Sequence, residues 1–242
     1  MSMRRFTLIA VIAATAVTVG ARDRWSSRPW QKWSVDDCKA MLQDSPWAHT
    51  WSTSTEEFPT MGQSSEGTAR EQEPVVYYYV QLRSALPVRE AVARELEIVN
   101  KYDKMDAAKQ KIINTSVSSY LSRNYDDSVV IHMEYGSNVE IYQRDLMRAW
   151  QSIPRGTIPL NTYLITNNGQ KVTPERMEVA SGAETAVEFI FPRLVNRKPL
   201  ISQLDKSFAF QFVSPATGPF AAQRAYIEYH PSKMMFAGQF SY

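Results

Sequence analysis

The sequence predicts one α+β domain, with a largely antiparallel sheet and about three helices packed on one face, plus a short N-terminal helix. Three observations carry that prediction. Helical apolar stripes fill most of the stretch from Pro87 to Pro154 and are interrupted by one cleanly alternating run; beyond Pro154 the period becomes two. The alternating runs are rich in β-branched and aromatic residues, which suit a pleated, half-buried surface. No repeat of fixed period appears, and no linker separates a second hydrophobic core, so runs of helix followed by runs of strand read as one α+β unit.

The chain opens with Met1 to Arg5, which hold two arginines, followed by the uncharged apolar run Phe6 to Val19 and the small or aliphatic Val19-Gly20-Ala21. That order is the pattern of a Sec-type signal peptide over residues 1–21. The apolar run is about 14 residues, short of the roughly 20 that a spanning helix needs, and no other segment approaches that length. The mature chain is therefore expected to be periplasmic or secreted, with no stable transmembrane segment after cleavage; a retained anchor is the competing reading. Of the 27 basic side chains, Arg4 and Arg5 leave with the leader, and the remainder match the 25 acidic ones. A balanced chain without a basic run lacks the electrostatic term that dominates nucleic-acid affinity, so nucleic acid is not an expected partner. The single cysteine excludes an internal disulfide, and the fold must rest on packing.

Residues 22–51 form a Trp-rich docking segment. Ser34 and Asp37 make a capping box for a short helix, on which Val35, Cys38, Met41 and Leu42 share a face, and Asp44-Ser45-Pro46 ends it. Trp30 and Trp33 lead in; Trp47 and Trp51 lead out. So short a helix is not stable alone, which predicts an apolar clamp that fastens the segment to the domain. An exposed aromatic patch for a partner or glycan is the alternative. Residues 52–73 are rich in Ser, Thr, Glu and Gly without an apolar period and are expected to be a flexible linker or loop.

The folded domain is expected over 74–242. "VVYYYVQLR" reads as a central strand with both faces covered. Pro87 suits a first helical position, with Val88, Val92, Leu96 and Val99 as the stripe. Asp103 is expected to cap a second helix that turns Met105, Ala108, Ile112 and Tyr120 inward. "DSVVIHMEY" alternates, with Val129, Ile131, Met133 and Tyr135 on one face and Val130, His132 and Glu134 on the other. Ser137 and Glu140 suggest another capping box before a helix bearing Val139, Tyr142, Leu146, Ala149 and Trp150. Leu160 to Thr173 reads as a hairpin about Asn167-Asn168-Gly169. "ETAVEFIF", "KSFAFQFV", "QRAYIEYH" and "KMMFAGQFSY" supply further strands; Phe208, Phe210 and Phe212 share one face, as do Phe236, Phe240 and Tyr242.

Residues 33–48, "WSVDDCKAMLQDSPWA", resemble the opening of a family of uncharacterised exported bacterial proteins with the pattern W-S-x-x-D-x-x-x-M-L-x-x-S-P-W-A after the signal peptide. "LNTYLITNNGQKV" and "SKMMFAGQFSY" are similar to later parts of the same family. The resemblance implies export from a bacterium and an α+β region. It transfers no catalytic residue, and its pattern does not call for a cysteine at position 38.

Chemistry-bearing residues are sparse. Cys38 and His49 could form a thiol and base only if spatially adjacent, but Cys38 falls on the apolar helix face, where a thiol is packing. His132 and Glu134 project from one strand face, and His230 would complete a zinc set if its strand lay beside them. Glu56-Glu57 and Asp126-Asp127 occupy loop-like positions better suited to solvated or capping groups than to a glycosidase pair. No phosphate loop, nucleophile elbow or metal motif occurs, and no cofactor is expected. The possible binding residues are therefore aromatic: Trp30, Trp33, Trp47, Trp51, Tyr77 and Tyr79. The function these features point to is a non-enzymatic binding or assembly module of the cell envelope, with an envelope protein or apolar ligand as partner. The alternatives are a hydrolase with a cryptic site, in which Cys38, His49, His132 and Glu134 converge, and a carrier of small apolar ligands, with a dry cavity between sheet and helices.

Overall fold

A computed structural model describes residues 25, 27–54 and 73–242. The expected leader over residues 1–21 lies outside the described residues, as does nearly all of the expected linker. The Trp-rich segment forms α1 (Val35–Gln43), entered through a 3-10 turn at Trp30–Lys32. The expected capping box is present: Ser34 Oγ accepts from the Asp37 amide at 3.2 Å, and Asp37 Oδ2 accepts from the Ser34 amide at 2.9 Å. Cys38, Met41 and Leu42 are buried as the spacing requires, while Val35 is exposed. The chain then enters β1 (Ala48–Ser54), so Ser52, Thr53 and Ser54 belong to a strand and not to a linker. Polar side chains on alternate positions of an edge strand leave no apolar signal there.

The next elements are β2 (Val75–Leu82), α2 (Leu86–Val99), α3 (Ala107–Leu121), β3 (Ser128–Ser137) and α4 (Glu140–Gln151). There follow β4 (Tyr163–Ile165), β5 (Lys171–Val172), β6 (Arg176–Val179), β7 (Ala186–Pro192), β8 (Leu194–Val195) and β9 (Lys198–Pro199). β10 (Phe208–Ser214), β11 (Gln223–Tyr229), β12 (Met235–Phe236) and β13 (Gln239–Phe240) complete the chain. The larger sheet has the order β1-β2-β3-β7-β6 and the smaller β11-β10-β4-β5. All pairings are antiparallel.

Strand alternation gives the larger sheet two faces. Its inner face carries Val76, Tyr78, Val80 and Leu82 of β2, Val129, Ile131, Met133 and Tyr135 of β3, and Val187, Phe189 and Phe191 of β7, all buried. The smaller sheet packs on this face: Phe210 meets Phe189 at 5.2 Å between ring centroids, and Phe212 meets Tyr78 at 5.0 Å. Tyr78 Oη and Ser214 Oγ hydrogen-bond across the layers at 2.7 Å. Rings fill the space between the sheets, where a carrier would need a void.

The fold is α+β, as expected, with four α-helices among the described residues beside antiparallel sheets. α4 shares the inner face with the smaller sheet, because Trp150 stacks on Tyr135 and meets Tyr78 and Phe189 edge-on. α1 packs on α2 and over β1 and β2, where outward-facing Thr50 donates to the Gln43 carbonyl at 3.1 Å. α3 rests on α2 with only Val117 buried, and Ile112 and Ala108 face solvent. Its cap is Asp106, whose Oδ1 accepts from the Lys109 amide at 2.9 Å; Asp103 lies in a separate 3-10 turn. On α2, Ala91 is buried while Leu96 and Val99 are exposed. Ser137 closes β3 instead of capping α4: Gln143 Oε1 accepts from its amide at 2.7 Å, and α4 has no side-chain cap. The final segment is a hairpin, turned by Ala237 and Gly238 at φ 48° and 78°, and not one strand.

The N-terminal clamp is locked at its far end by that hairpin. Trp47 Nε1 donates to the Ser241 carbonyl at 2.7 Å, and both Trp33 and Trp47 meet Phe236 edge-on. Because β1 is also a strand of the main sheet, the docking segment is part of the domain core.

Candidate functional site

The outer face of the larger sheet holds a cluster of interacting polar side chains away from the core. Register aligns Gln81 with His132 and His132 with Glu188, and in the next row Tyr79 with Glu134. These residues project to one side because strand side chains alternate. The His132 ring sits between two carboxylates, with Nδ1 3.0 Å from Glu188 Oε1 and Nε2 3.3 Å from Glu134 Oε1. A neutral imidazole can donate to only one of them; an imidazolium donates to both.

Arg83, just past β2, closes one end of the row. Its Nη2 donates to Gln81 Oε1 at 2.9 Å and lies 3.7 Å from Glu134 Oε1, while Nη1 donates to Tyr120 Oη of α3 at 3.4 Å. Hydrogen bonding to His132 is the main influence that holds the Glu134 and Glu188 carboxyls below the usual carboxylate range, against the opposing effect of burial. Glu95 on α2 is raised, chiefly by burial and then by the Glu134 charge. Both carboxylates of the row remain open to water, with side-chain exposures of 48% at Glu134 and 39% at Glu188.

At the other end of the row, Tyr77 and Tyr79 lie side by side with centroids 5.2 Å apart. Tyr77 rests over Gly136, where a Cβ would stand 2.6 Å from Tyr77 Cε2, so only glycine lets the ring lie flat there. The tyrosines are half-buried, where a central strand with both faces covered predicts burial.

Of the sequence candidates, the structure brings together Tyr77, Tyr79, His132 and Glu134. Trp33 and Trp47 are 1% and 2% exposed and offer no surface to a ligand. Trp30 and Trp51 are half-buried against the core, Trp51 meeting Tyr78 and Phe212 on the inner face. Asp126 and Asp127 are exposed, and Glu56-Glu57 lie outside the described residues.

Cys38 is 2% exposed, and burial pushes its thiol up to about 11, with Glu95 adding to the shift. His49 points to the inner side, its ring 4.9 Å from Tyr229; burial lowers it, as do His230 and Lys233, while Asp44 opposes them. His230 lies one residue past β11, near the Lys206 carbonyl, in the smaller sheet's layer and not beside His132. His49 and the His132 row therefore lie on opposite sides of the larger sheet, and Cys38 is buried on α1 near Glu95, which also feels the Glu134 charge. Glu134 and Glu188 approach opposite nitrogens of His132, and among the described residues no three His, Cys, Asp or Glu side chains could hold a metal ion.

Sequence reasoning missed Gln81, Arg83, Tyr120 and Glu188. Glu188 did leave a signal: one acid inside the apolar run "AVEFIF" must face away from Val187 and Phe189. No family model, curated protein or solved structure matches the chain.

Proposed function

We propose that the chain is an exported, non-enzymatic binding or assembly module of the cell envelope, and that it recognises its partner through the outer face of β2, β3 and β7. The observation that carries this reading is the paired rings of Tyr77 and Tyr79 beside the solvent-open Glu134 and Glu188 that flank His132. Aromatic faces next to carboxylates suit a partner that presents lysine or arginine side chains, through cation–π contact and charge-assisted hydrogen bonds. The leader-like residues 1–21 and the motif at 33–48 support export. The burial of the Cys38 thiol and the opposite facing of His49 and His132 favour binding over hydrolysis, and the ring-filled space between the sheets favours a surface site over an internal carrier cavity.

The test is site-specific photo-crosslinking in cells of a bacterium that exports the chain, with the probe at Tyr79 and, as control, at exposed Ile112. A discrete protein adduct is expected from position 79 alone. Glu134→Gln with Glu188→Gln should weaken it about 30-fold, the loss of roughly 2 kcal/mol typical of a binding hot spot. Equal adducts from both positions, no adduct, or indifference to the two substitutions would refute the reading.

A further inference from the structure

A second feature lies next to the acidic row, sharing Tyr120 with it, and has the opposite polarity. A hollow of about 470 Å³ opens where the turn after β2, the loop after α3 and the segment following β13 meet, and Arg89, Arg123 and Arg193 all line it. Each guanidinium is set against an aromatic ring: Arg89 over Tyr125 at 5.0 Å, Arg123 over Tyr120 at 5.2 Å and Arg193 over Tyr242 at 3.9 Å. The hydrogen bonds of Arg89 and Arg193 go to backbone oxygens. Arg89 Nη1 donates to the carbonyls of Leu121 and Arg123 at 2.8 and 3.3 Å, and Arg193 Nη2 donates to the backbone oxygen of Tyr242 at 3.0 Å.

Rings and backbone oxygens orient these groups. Among the described residues no Asp or Glu carboxylate lies within ion-pair distance of any of the three. Asp126 is the acid in the lining. The C-terminus of α3 explains part of Arg89, since a helix end carries about half a negative charge. Three guanidinium groups against the one carboxylate of Asp126 leave the lining net positive, with Arg123 also acting on Glu188, and a cleft with an excess of one sign concentrates the opposite ion. Arg89 also keeps a buried Nε without an acceptor.

We infer that this hollow is a binding site for a small molecule bearing an oxyanion, carboxylate or phosphate, gripped by the guanidinium forks of Arg89 and Arg123 with Arg193 fixing the third side. Planar forks match both anions in bidentate geometry. The volume falls within the range of roughly 300–1,000 Å³ usual for small-molecule sites, so an organic acid or phosphate ester fits better than a bare ion. The site does not depend on the outer-face reading, and either can fail alone.

Titration calorimetry of the full chain at low ionic strength, with citrate and inorganic phosphate as separate probes, tests it. Saturable one-site binding of at least one probe is expected. Arg123→Gln, at an exposed position that does not endanger folding, should weaken it about tenfold or more, as the loss of a charged hydrogen bond implies. Arg148→Gln on α4 should leave binding unchanged. Citrate alone assigns a carboxylate ligand, phosphate alone a phosphate, and both the shared oxyanion chemistry. The Nε resonances of Arg89 and Arg123 should shift on titration while that of Arg148 stays fixed. Failure of both probes to bind, or equal weakening by both substitutions, overturns the site.

Discussion

Replacing Trp47 and Trp33 separately by phenylalanine should destabilise the protein unequally, with Trp47 the more costly. Both indoles are buried and both meet Phe236, so the lost volume is alike and the cavity contribution is about 1 kcal/mol in each case. They differ at the ring nitrogen. Trp47 Nε1 donates to the Ser241 carbonyl, whereas Trp33 Nε1 is buried without an acceptor. Trp47→Phe therefore strands a part-buried carbonyl at a further cost of roughly 1–2 kcal/mol, while Trp33→Phe removes a donor already unsatisfied and recovers part of its desolvation penalty. The expected losses are about 2–3 kcal/mol for Trp47→Phe and under about 1 for Trp33→Phe. At roughly 2–4 °C per kcal/mol for a chain of this size, Tm should fall by about 5–10 °C and under about 4 °C respectively. Urea unfolding followed by far-UV circular dichroism, with unchanged m values, gives the free energies directly. Equal losses, or the reverse order, would refute both the hydrogen-bond assignment and the clamp between the Trp-rich segment and the final hairpin.

Gly136→Ala should drive the Tyr77 ring off β3 and cost about 1–3 kcal/mol, the usual range for overpacking, and Tyr77→Ala in the same chain should recover most of it; additive losses in urea titrations would show that the ring does not rest there. Glu90 on α2 is raised from 4.5 to about 7, mainly by burial with Arg89 opposing, so its carboxyl favours the fold below about pH 4.5 and that contribution is lost as pH rises through about 7. Glu90→Gln should accordingly stabilise at pH 8, by up to about 2 kcal/mol after allowance for solvent screening of a half-buried group, and do little at pH 4; a pH-independent effect would contradict the assignment.

How much of this was legible in the sequence depends on whether the signal was local. The capping box of Ser34 and Asp37, the alternation of β3 and the Asn167-Asn168-Gly169 turn are each written in fewer than ten residues, and each forms as read, with Gly169 at φ 80°. Alternation cannot distinguish one long strand from a hairpin of two short ones, which is why the final segment reads as a single strand. β6 leaves no apolar signal because two of its four residues, Arg176 and Glu178, are charged and pair with each other at the sheet edge. The hairpin of β8 and β9 turns at Asn196-Arg197, both at positive φ, and arginine is no signal for that conformation. Aspartates three residues apart at 103 and 106 are equally good caps on paper; the left-handed Lys101, at φ 55°, sets the break and passes the helix start to Asp106.

The candidate site was illegible for a different reason, since it is created by pairing and not by motif. His132 and Glu134 were visible as same-face neighbours, but the carboxylate that completes the row comes from β7, fifty-six residues beyond His132, and the guanidinium that ends it lies one residue past β2. Sheet order puts β3 between β2 and β7, and the inner face this creates is buried as one surface, with Tyr78 and Phe189 meeting Phe212 and Phe210 of the smaller sheet and Met133 buried between them. Once the inner face is fixed, Gln81, His132 and Glu188 have no other side to face. The outer row is thus a consequence of core packing, and a substitution that leaves the core intact while reversing a charge in the row, such as Glu188→Lys, separates recognition from folding.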